Sequence, residues 1–121
     1  MEEKNFAFVA TLNKDGSPQV TPTWVDTDGT HVLINVTTSR KKARNVERDP
    51  RVAISVSDQS NPYRMITIQG RVVEQILGKE AEDHIDKMAK KYLGKDKYPY
   101  RQPNEQRLLL KIEPTSIAGW G

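Results

Sequence analysis

There is no cysteine in these 121 residues, which excludes disulfides, thiolate metal sites and thiol nucleophiles together. Histidine is almost as scarce. His31 and His84 stand far apart with no H-x-H or H-x-x-x-H neighbour, so no metal site is expected and both read as ordinary surface or half-buried side chains. No apolar run approaches the roughly 18 residues of a membrane span, and the charged start Met1-Glu2-Glu3-Lys4-Asn5 leads straight into a strand-like pattern. A cytoplasmic protein without a membrane partner is the expectation. G-x-G-x-x-G, a Walker loop and G-x-S-x-G are all missing, which leaves a Rossmann site, a P-loop and a serine-hydrolase elbow unsupported. A formal charge of +3, with 19 basic and 16 acidic residues mixed along the chain, is too small to imply nucleic acid. The length suits one domain over residues 1–121, too short to hold separate cofactor and substrate domains.

What the chain does have is alternation. Phe6, Phe8, Ala10 and Leu12 fall on one face of a first strand, and Asp15-Gly16 turns it into a second, where Val20 and Trp24 oppose Thr21 and Thr23. Val32, Ile34 and Val36 oppose Asn35 and Thr37 in a third. Val52, Ile54 and Val56, then Ile66, Ile68 and Val72, then Leu108, Leu110 and Ile112 complete six strands. Six short antiparallel strands predict a closed or nearly closed barrel, since an open sheet would leave exposed edges. Two helices interrupt it. Ser39 is placed to cap a helix from Arg40 to Arg48 that Pro50 stops. Ala81, Ile85, Met88, Ala89 and Tyr92 form the packing stripe of a second helix, with Gly94 as its C-cap. Asp26, Asp28 and Asp58 read as turn-formers beside strand ends. Pro22, which removes a ladder donor in mid-strand, marks an edge or a place where pairing has opened. The Tyr98–Pro103 loop closes over a site or contacts a neighbouring subunit.

The segment richest in chemistry is Thr37-Thr38-Ser39-Arg40-Lys41-Lys42-Ala43-Arg44-Asn45. Hydroxyls followed by cations, where a strand feeds a helix N-terminus, suit a phosphate because backbone N–H groups, the helix dipole and Arg/Lys charge converge. A solvated helix face is the plain alternative for the cluster alone. Around it stand Gly16-Ser17-Pro18-Gln19-Val20-Thr21-Pro22-Thr23-Trp24 and Asp28-Gly29 upstream, with Arg48-Asp49-Pro50-Arg51-Val52 and Asn61-Pro62-Tyr63-Arg64 downstream.

Taken in order, these motifs resemble the split-barrel flavoproteins of the pyridoxamine-phosphate-oxidase-like superfamily, and within it the branch that uses the deazaflavin coenzyme F420. The resemblance runs from about Phe6 to Pro114. It implies a mainly β fold, a six-stranded antiparallel split β-barrel of the FMN-binding type with two peripheral helices, and a homodimer with a cofactor in a groove shared between subunits. It also implies that Gln19, Val20, Thr21, Pro22 and Thr23, with Asn35, Val36 and Thr37, contact the ring system. Thr38, Arg40, Lys42 and Asn45 would hold the ribityl chain and phosphate, while Arg44 and Arg51 extend the positive track along an acidic tail. Lys42 matches the family's phosphate-side lysine. The expected reaction is hydride transfer between reduced F420 and an unsaturated small-molecule acceptor, with FMN as the alternative cofactor and a non-catalytic carrier as the alternative role. No catalytic residue is assigned, because the cofactor would carry the chemistry. The chain lacks a convincing C-terminal substrate-phosphate arginine motif of the pyridoxamine-phosphate oxidases, which speaks against vitamin B6 oxidation. A nucleic-acid-binding barrel would need exposed aromatics among its cations, whereas Phe6, Phe8 and Trp24 read as core-facing.

Overall fold

The computed structural model describes residues 6–57, 65–100 and 105–120. The Asn61-Pro62-Tyr63-Arg64 motif, Asp58 and the end of the Tyr98–Pro103 loop lie outside them. The elements run β1 (Phe6–Leu12), β2 (Pro18–Trp24), β3 (Asp26–Thr27), β4 (Val32–Thr37), α1 (Lys41–Arg48), β5 (Arg51–Ser57), β6 (Met65–Leu77), α2 (Lys79–Leu93) and β7 (Arg107–Trp120). All strands pair antiparallel in one curled sheet of order β2-β1-β5-β6-β7-β4-β3.

The sheet has seven strands rather than the expected six. The extra one, β3, is two residues long and has no room for alternation. Its position is what closes the fold. β2 and β3 lie at opposite ends of the strand order, yet only Val25 separates them in the chain. The sheet must therefore curl until its ends meet at Val25, and the two edges diverge from there as β2 and β4. α2 pins this corner. The Val25 N–H donates to the Tyr92 hydroxyl at 3.2 Å, and that hydroxyl donates back to the Val25 carbonyl at 3.2 Å. Trp24 stacks on Tyr92 at 5.0 Å between ring centroids and 5° between planes. Curvature also comes from β6, whose register against β7 shifts at Gln69/Gly70 and Val72/Glu74, since bulges bend and twist a strand. Gly70 is required there, because a Cβ would lie 2.6 Å from the Glu113 carbonyl oxygen.

The alternation in β4 to β7 is as expected. Val32, Ile34 and Val36 meet Val52, Ile54, Val56, Ile68, Val72, Leu108, Leu110 and Ile112 on the inner face of the curled sheet. The opposite face of β4 and β7 is covered too. Leu33 and Leu109 pack with Ala81 of α2 and with Ile76, so β4 is buried on both faces. Ala81, Ile85, Met88 and Ala89 form the buried stripe of α2, and Gly94 caps its end at φ 70°.

The first strand is turned over relative to expectation. Ala7 and Val9 enter the core, whereas Phe8 is 48% exposed, and Val20 on β2 is 59% exposed. Both faces of β1 carry apolar residues, so alternation alone cannot choose between them, and the small side chains fit the crowded interior. The Phe6 side chain lies outside the described set. Trp24 is half-buried against Tyr92. α1 begins at Lys41 with Arg40 at the N-cap position and no side-chain cap, so Ser39 does not cap it. It ends at Arg48 before an extended Asp49, as Pro50 requires. Among the described residues no helix is long and apolar enough to cross a membrane.

Candidate functional site

The divergence of β2 from β4 opens a cavity of about 550 Å³. Its walls are β2 from Gln19 to Trp24 without Val20, Asn35 to Thr37 of β4, the start of α1 at Arg40, Lys41 and Lys42, Ile85 and Met88 of α2, Tyr98, and Arg107 at the start of β7. Nine expected residues therefore converge on one space: Gln19, Thr21, Pro22, Thr23, Asn35, Val36, Thr37, Arg40 and Lys42. Pro22 pairs with Phe8 on the terminal strand of the sheet, where its missing N–H disturbs no ladder.

Four expected residues lie elsewhere. Val20 points to the outer face of the sheet, as its exposure shows. Thr38 donates its backbone N–H to the Gln106 carbonyl at 2.9 Å and does not reach the cavity wall. Asn45 is buried against β1, its amide nitrogen donating to Thr11 Oγ1 at 3.0 Å and Asn13 Oδ1 at 3.1 Å while its oxygen accepts from Arg48 at 2.8 Å. Arg51 is exposed and folded onto Asp49, which it holds down to a pKa of about 2 through side-chain hydrogen bonds of 3.0 and 2.7 Å.

The cationic end is built without counter-charge. Lys42 is 8% exposed, and among the described residues it has no hydrogen-bond or ion-pair partner. Burial first, then the charges of Arg40 and Arg107, push its ammonium down to about 8. α1 compounds this, with no acidic residue in its first turn and no side-chain cap, so cations stand where the helix dipole is already positive. Such an arrangement is unfavourable alone and becomes favourable when an anion enters.

Behind another part of the wall runs a hydrogen-bonded network. Arg107 Nε donates to Asn35 Oδ1 at 2.7 Å, which fixes the orientation of the Asn35 amide because a guanidinium only donates. Asn35 Nδ2 then donates to the Ala81 carbonyl at 2.8 Å and to His84 Nδ1 at 3.1 Å. His84 must accept at Nδ1, so it is neutral, with its proton on Nε2 facing Asp26 Oδ2 at 3.1 Å. Burial pushes the His84 imidazole below its ordinary value despite the Asp26 carboxylate. Burial would raise Asp26, but the Thr27 N–H and the Lys87 ammonium outweigh it and hold the carboxyl low. Two expectations are thereby corrected. His84 is a buried network residue, and Asp26 is a buried acceptor rather than a turn-former. Asp28 does form its turn, accepting from the N–H groups of Thr30 and His31.

Arg107, Lys41 and Ile85 border the cavity without having been assigned to it from the sequence, and Trp24 and Tyr98 join them there. Tyr98 stands edge-on to Trp24 at 6.1 Å and carries the Arg107 guanidinium over its ring at 5.3 Å. The start of the Tyr98 loop thus closes over the cavity of its own chain. One signal for Arg107 was available: a lone cation opens the apolar run Leu108-Leu109-Leu110. Thr21 Oγ1, also on the wall, is buried with no hydrogen-bond partner among the described residues.

The architecture has close counterparts. A solved F420 reductase is 30% identical, with a TM-score of 0.83 over 97% of this chain and 91% of that one. A conserved hypothetical protein from Mycobacterium tuberculosis has 22% identity and a TM-score of 0.77, covering 98% of this chain and 78% of that one. HutZ, a heme storage protein from Vibrio cholerae, shares the fold at 14% identity and a TM-score of 0.68, covering 99% of this chain and 89% of that one. No curated protein sequence matches this chain. The pyridoxamine 5'-phosphate oxidase family profile matches residues 1–121, and with the curled sheet and its β2–β4 cavity in view, the chain belongs to that family.

Proposed function

We propose that this protein is a deazaflavin-dependent oxidoreductase, binding coenzyme F420 in the β2–β4 cavity and passing a hydride between the reduced cofactor and an unsaturated small-molecule acceptor. The observation that carries this reading is the pairing of a buried, partnerless Lys42 at one end of the cavity with an aromatic wall of Trp24 and Tyr98. A phosphorylated, flat, ring-bearing ligand satisfies both at once. The 30% identity to an F420 reductase supports the choice of deazaflavin over FMN.

The residues present fit such a group. Lys42, Arg40 and Arg107 supply charge for a phosphate, and the unpartnered Thr21 hydroxyl awaits a polar atom. When bound, the deazaflavin would supply the two-electron chemistry. The chain's own residues bind the phosphate, press the ring against β2 and exclude water with Ile85 and Met88. The neutral His84 keeps its proton on the Asp26 side and holds Asn35, and through it Arg107, in place.

A homodimer belongs to this proposal. Phe8 and Val20 lie exposed on the outer face of the neighbouring strands β1 and β2, and exposed apolar side chains on one sheet face suit a partner surface. Light scattering is expected to report twice the chain mass at micromolar concentration, and a strict monomer that still binds cofactor tightly contradicts the shared groove. For the activity, the protein is mixed with reduced F420 and a panel of enones and quinones, and cofactor oxidation is followed by absorbance. Acceptor-dependent oxidation supports the enzyme. Tight F420 binding with no turnover on any acceptor would leave a carrier.

A further inference from the structure

The hydrogen-bonding polarity of the β2 wall is set from behind the sheet by α1. Arg48 starts the relay. Its guanidinium only donates, so the 2.8 Å bond identifies Asn45 Oδ1 as the acceptor and turns Asn45 Nδ2 toward Thr11 Oγ1 at 3.0 Å. With a lone pair engaged by that amide, the Thr11 hydroxyl directs its own proton to Gln19 Oε1, 3.2 Å away across the β1–β2 pair. The Gln19 oxygen is thereby occupied. Its Nε2, on a residue of the cavity wall, has no protein partner among the described residues. Two positions along the same inward face of β2, about 7 Å away by strand geometry, stands the buried and unpartnered Thr21 hydroxyl.

We infer that Gln19 and Thr21 read an acceptor-bearing edge of a flat heteroaromatic ligand, and that Thr11, Asn45 and Arg48 are positioning residues that fix the polarity of that reading. Asn45 does not touch the ligand, since its oxygen and its nitrogen are both committed to protein partners. Without the relay, the Gln19 amide is free to turn over and present oxygen as readily as nitrogen. With it, the wall offers a donor and disfavours a ligand edge that itself donates. The identity of the ring rests on the proposed function, and the pyrimidine edge of both deazaflavin and FMN carries two carbonyl acceptors flanking an N–H, of which a carbonyl is the group that Gln19 Nε2 would meet.

Two measurements test this, one without ligand and one with it. In ¹⁵N-labelled protein alone, the Gln19 side-chain amide signals are expected to shift in Thr11→Val, because the hydroxyl that donates to Gln19 Oε1 at 3.2 Å is removed. An unchanged Gln19 amide in Thr11→Val overturns the relay whatever the cofactor proves to be. F420 and FMN are then titrated against wild type, Gln19→Glu, Gln19→Met, Thr11→Val and the Thr11→Val/Gln19→Met pair. Gln19→Glu, which places an acceptor against the ligand's acceptor, is expected to weaken the bound probe about five- to a hundredfold. Thr11→Val is expected to weaken it by a smaller factor in wild type and not at all once Gln19 is Met. Equal Thr11→Val losses in both backgrounds make Thr11 a residue of the fold alone and overturn the positioning role. A Gln19→Glu variant that binds as well as wild type overturns the donor reading. Failure of both probes to bind wild type overturns the proposed cofactor and the ligand part of this inference, and the amide spectra still decide the relay.

Discussion

The two helices meet the polar residues around the cavity in opposite ways. α2 brings partners for everything it buries: His84 lies between Asn35 and Asp26, the Ala81 carbonyl accepts from Asn35, and Arg107 is tied to that amide. α1 brings Lys42 with no partner among the described residues, beside Arg40, at a helix start without acid or cap. Buried polar groups are normally satisfied by the protein itself, and a partnered network fixes shape. A buried charge that is left unpartnered instead marks where a ligand completes the structure. The α2 side therefore reads as scaffold and the α1 side as receptor.

The sharpest way to break this comparison is to remove one polar residue from each side. Asn35→Leu leaves His84 Nδ1 without its donor and removes the oxygen that Arg107 Nε engages, and is expected to destabilise the protein by about 3 kcal/mol or more in urea denaturation. Lys42→Met is expected to do the reverse to the ligand-free protein, raising its stability by about 1 to 3 kcal/mol, because a desolvated ammonium facing two cations is removed. The same change is expected to weaken binding of the phosphorylated cofactor about 10- to 150-fold. Comparable destabilisation by both variants would erase the distinction between scaffold and receptor.

Proton linkage sharpens it further. Lys42 is held near 8 against its ordinary 10.5, so unfolding takes up protons between those values. Ligand-free stability attributable to Lys42 therefore rises with pH across that window and is constant below it, which the difference between wild type and Lys42→Met isolates. His84 behaves oppositely in position though not in sign. Its folded value lies below 6.5, so its contribution is complete above pH 6.5 and is lost as pH falls. Thermal melts of wild type and His84→Gln are expected to differ by a constant amount from pH 7 to 8 and to converge below 6.5. The smallest effect is expected at Arg51. Already satisfied by Asp49 and exposed, Arg51→Ala is expected to change cofactor affinity by less than about twofold in the same titrations.

Much of this was legible from residue order. The alternation of Val32 to Val36 and of Leu108 to Ile112 marks the core side of the curled sheet, and of the two motif segments Gln19, Thr21 to Trp24, Thr37 and Arg40 to Lys42 border the cavity. What escaped was long-range. Asn35 reaches His84, 49 positions away, and Arg107, 72 positions away, through contacts that no local pattern encodes. The face of β1 was ambiguous because Phe8 competes with Ala7 and Val9 for the interior, and volume rather than hydropathy decides. The resemblance puts Asn45 at the ribityl chain and phosphate, whereas its amide faces β1 instead of the cavity.

The most direct test is a fluorescence titration of F420 against wild type and Lys42→Met, with FMN in parallel, at low and at physiological salt. The account predicts that wild type binds F420 more tightly than FMN, that the preference shrinks as salt screens exposed charge over about 8 Å, and that Lys42→Met weakens F420 about 10- to 150-fold while the fold stays intact. FMN binding equally well or better at low salt would contradict the deazaflavin assignment, and unchanged F420 binding by Lys42→Met would show that the buried ammonium is not where the cofactor's phosphate is held.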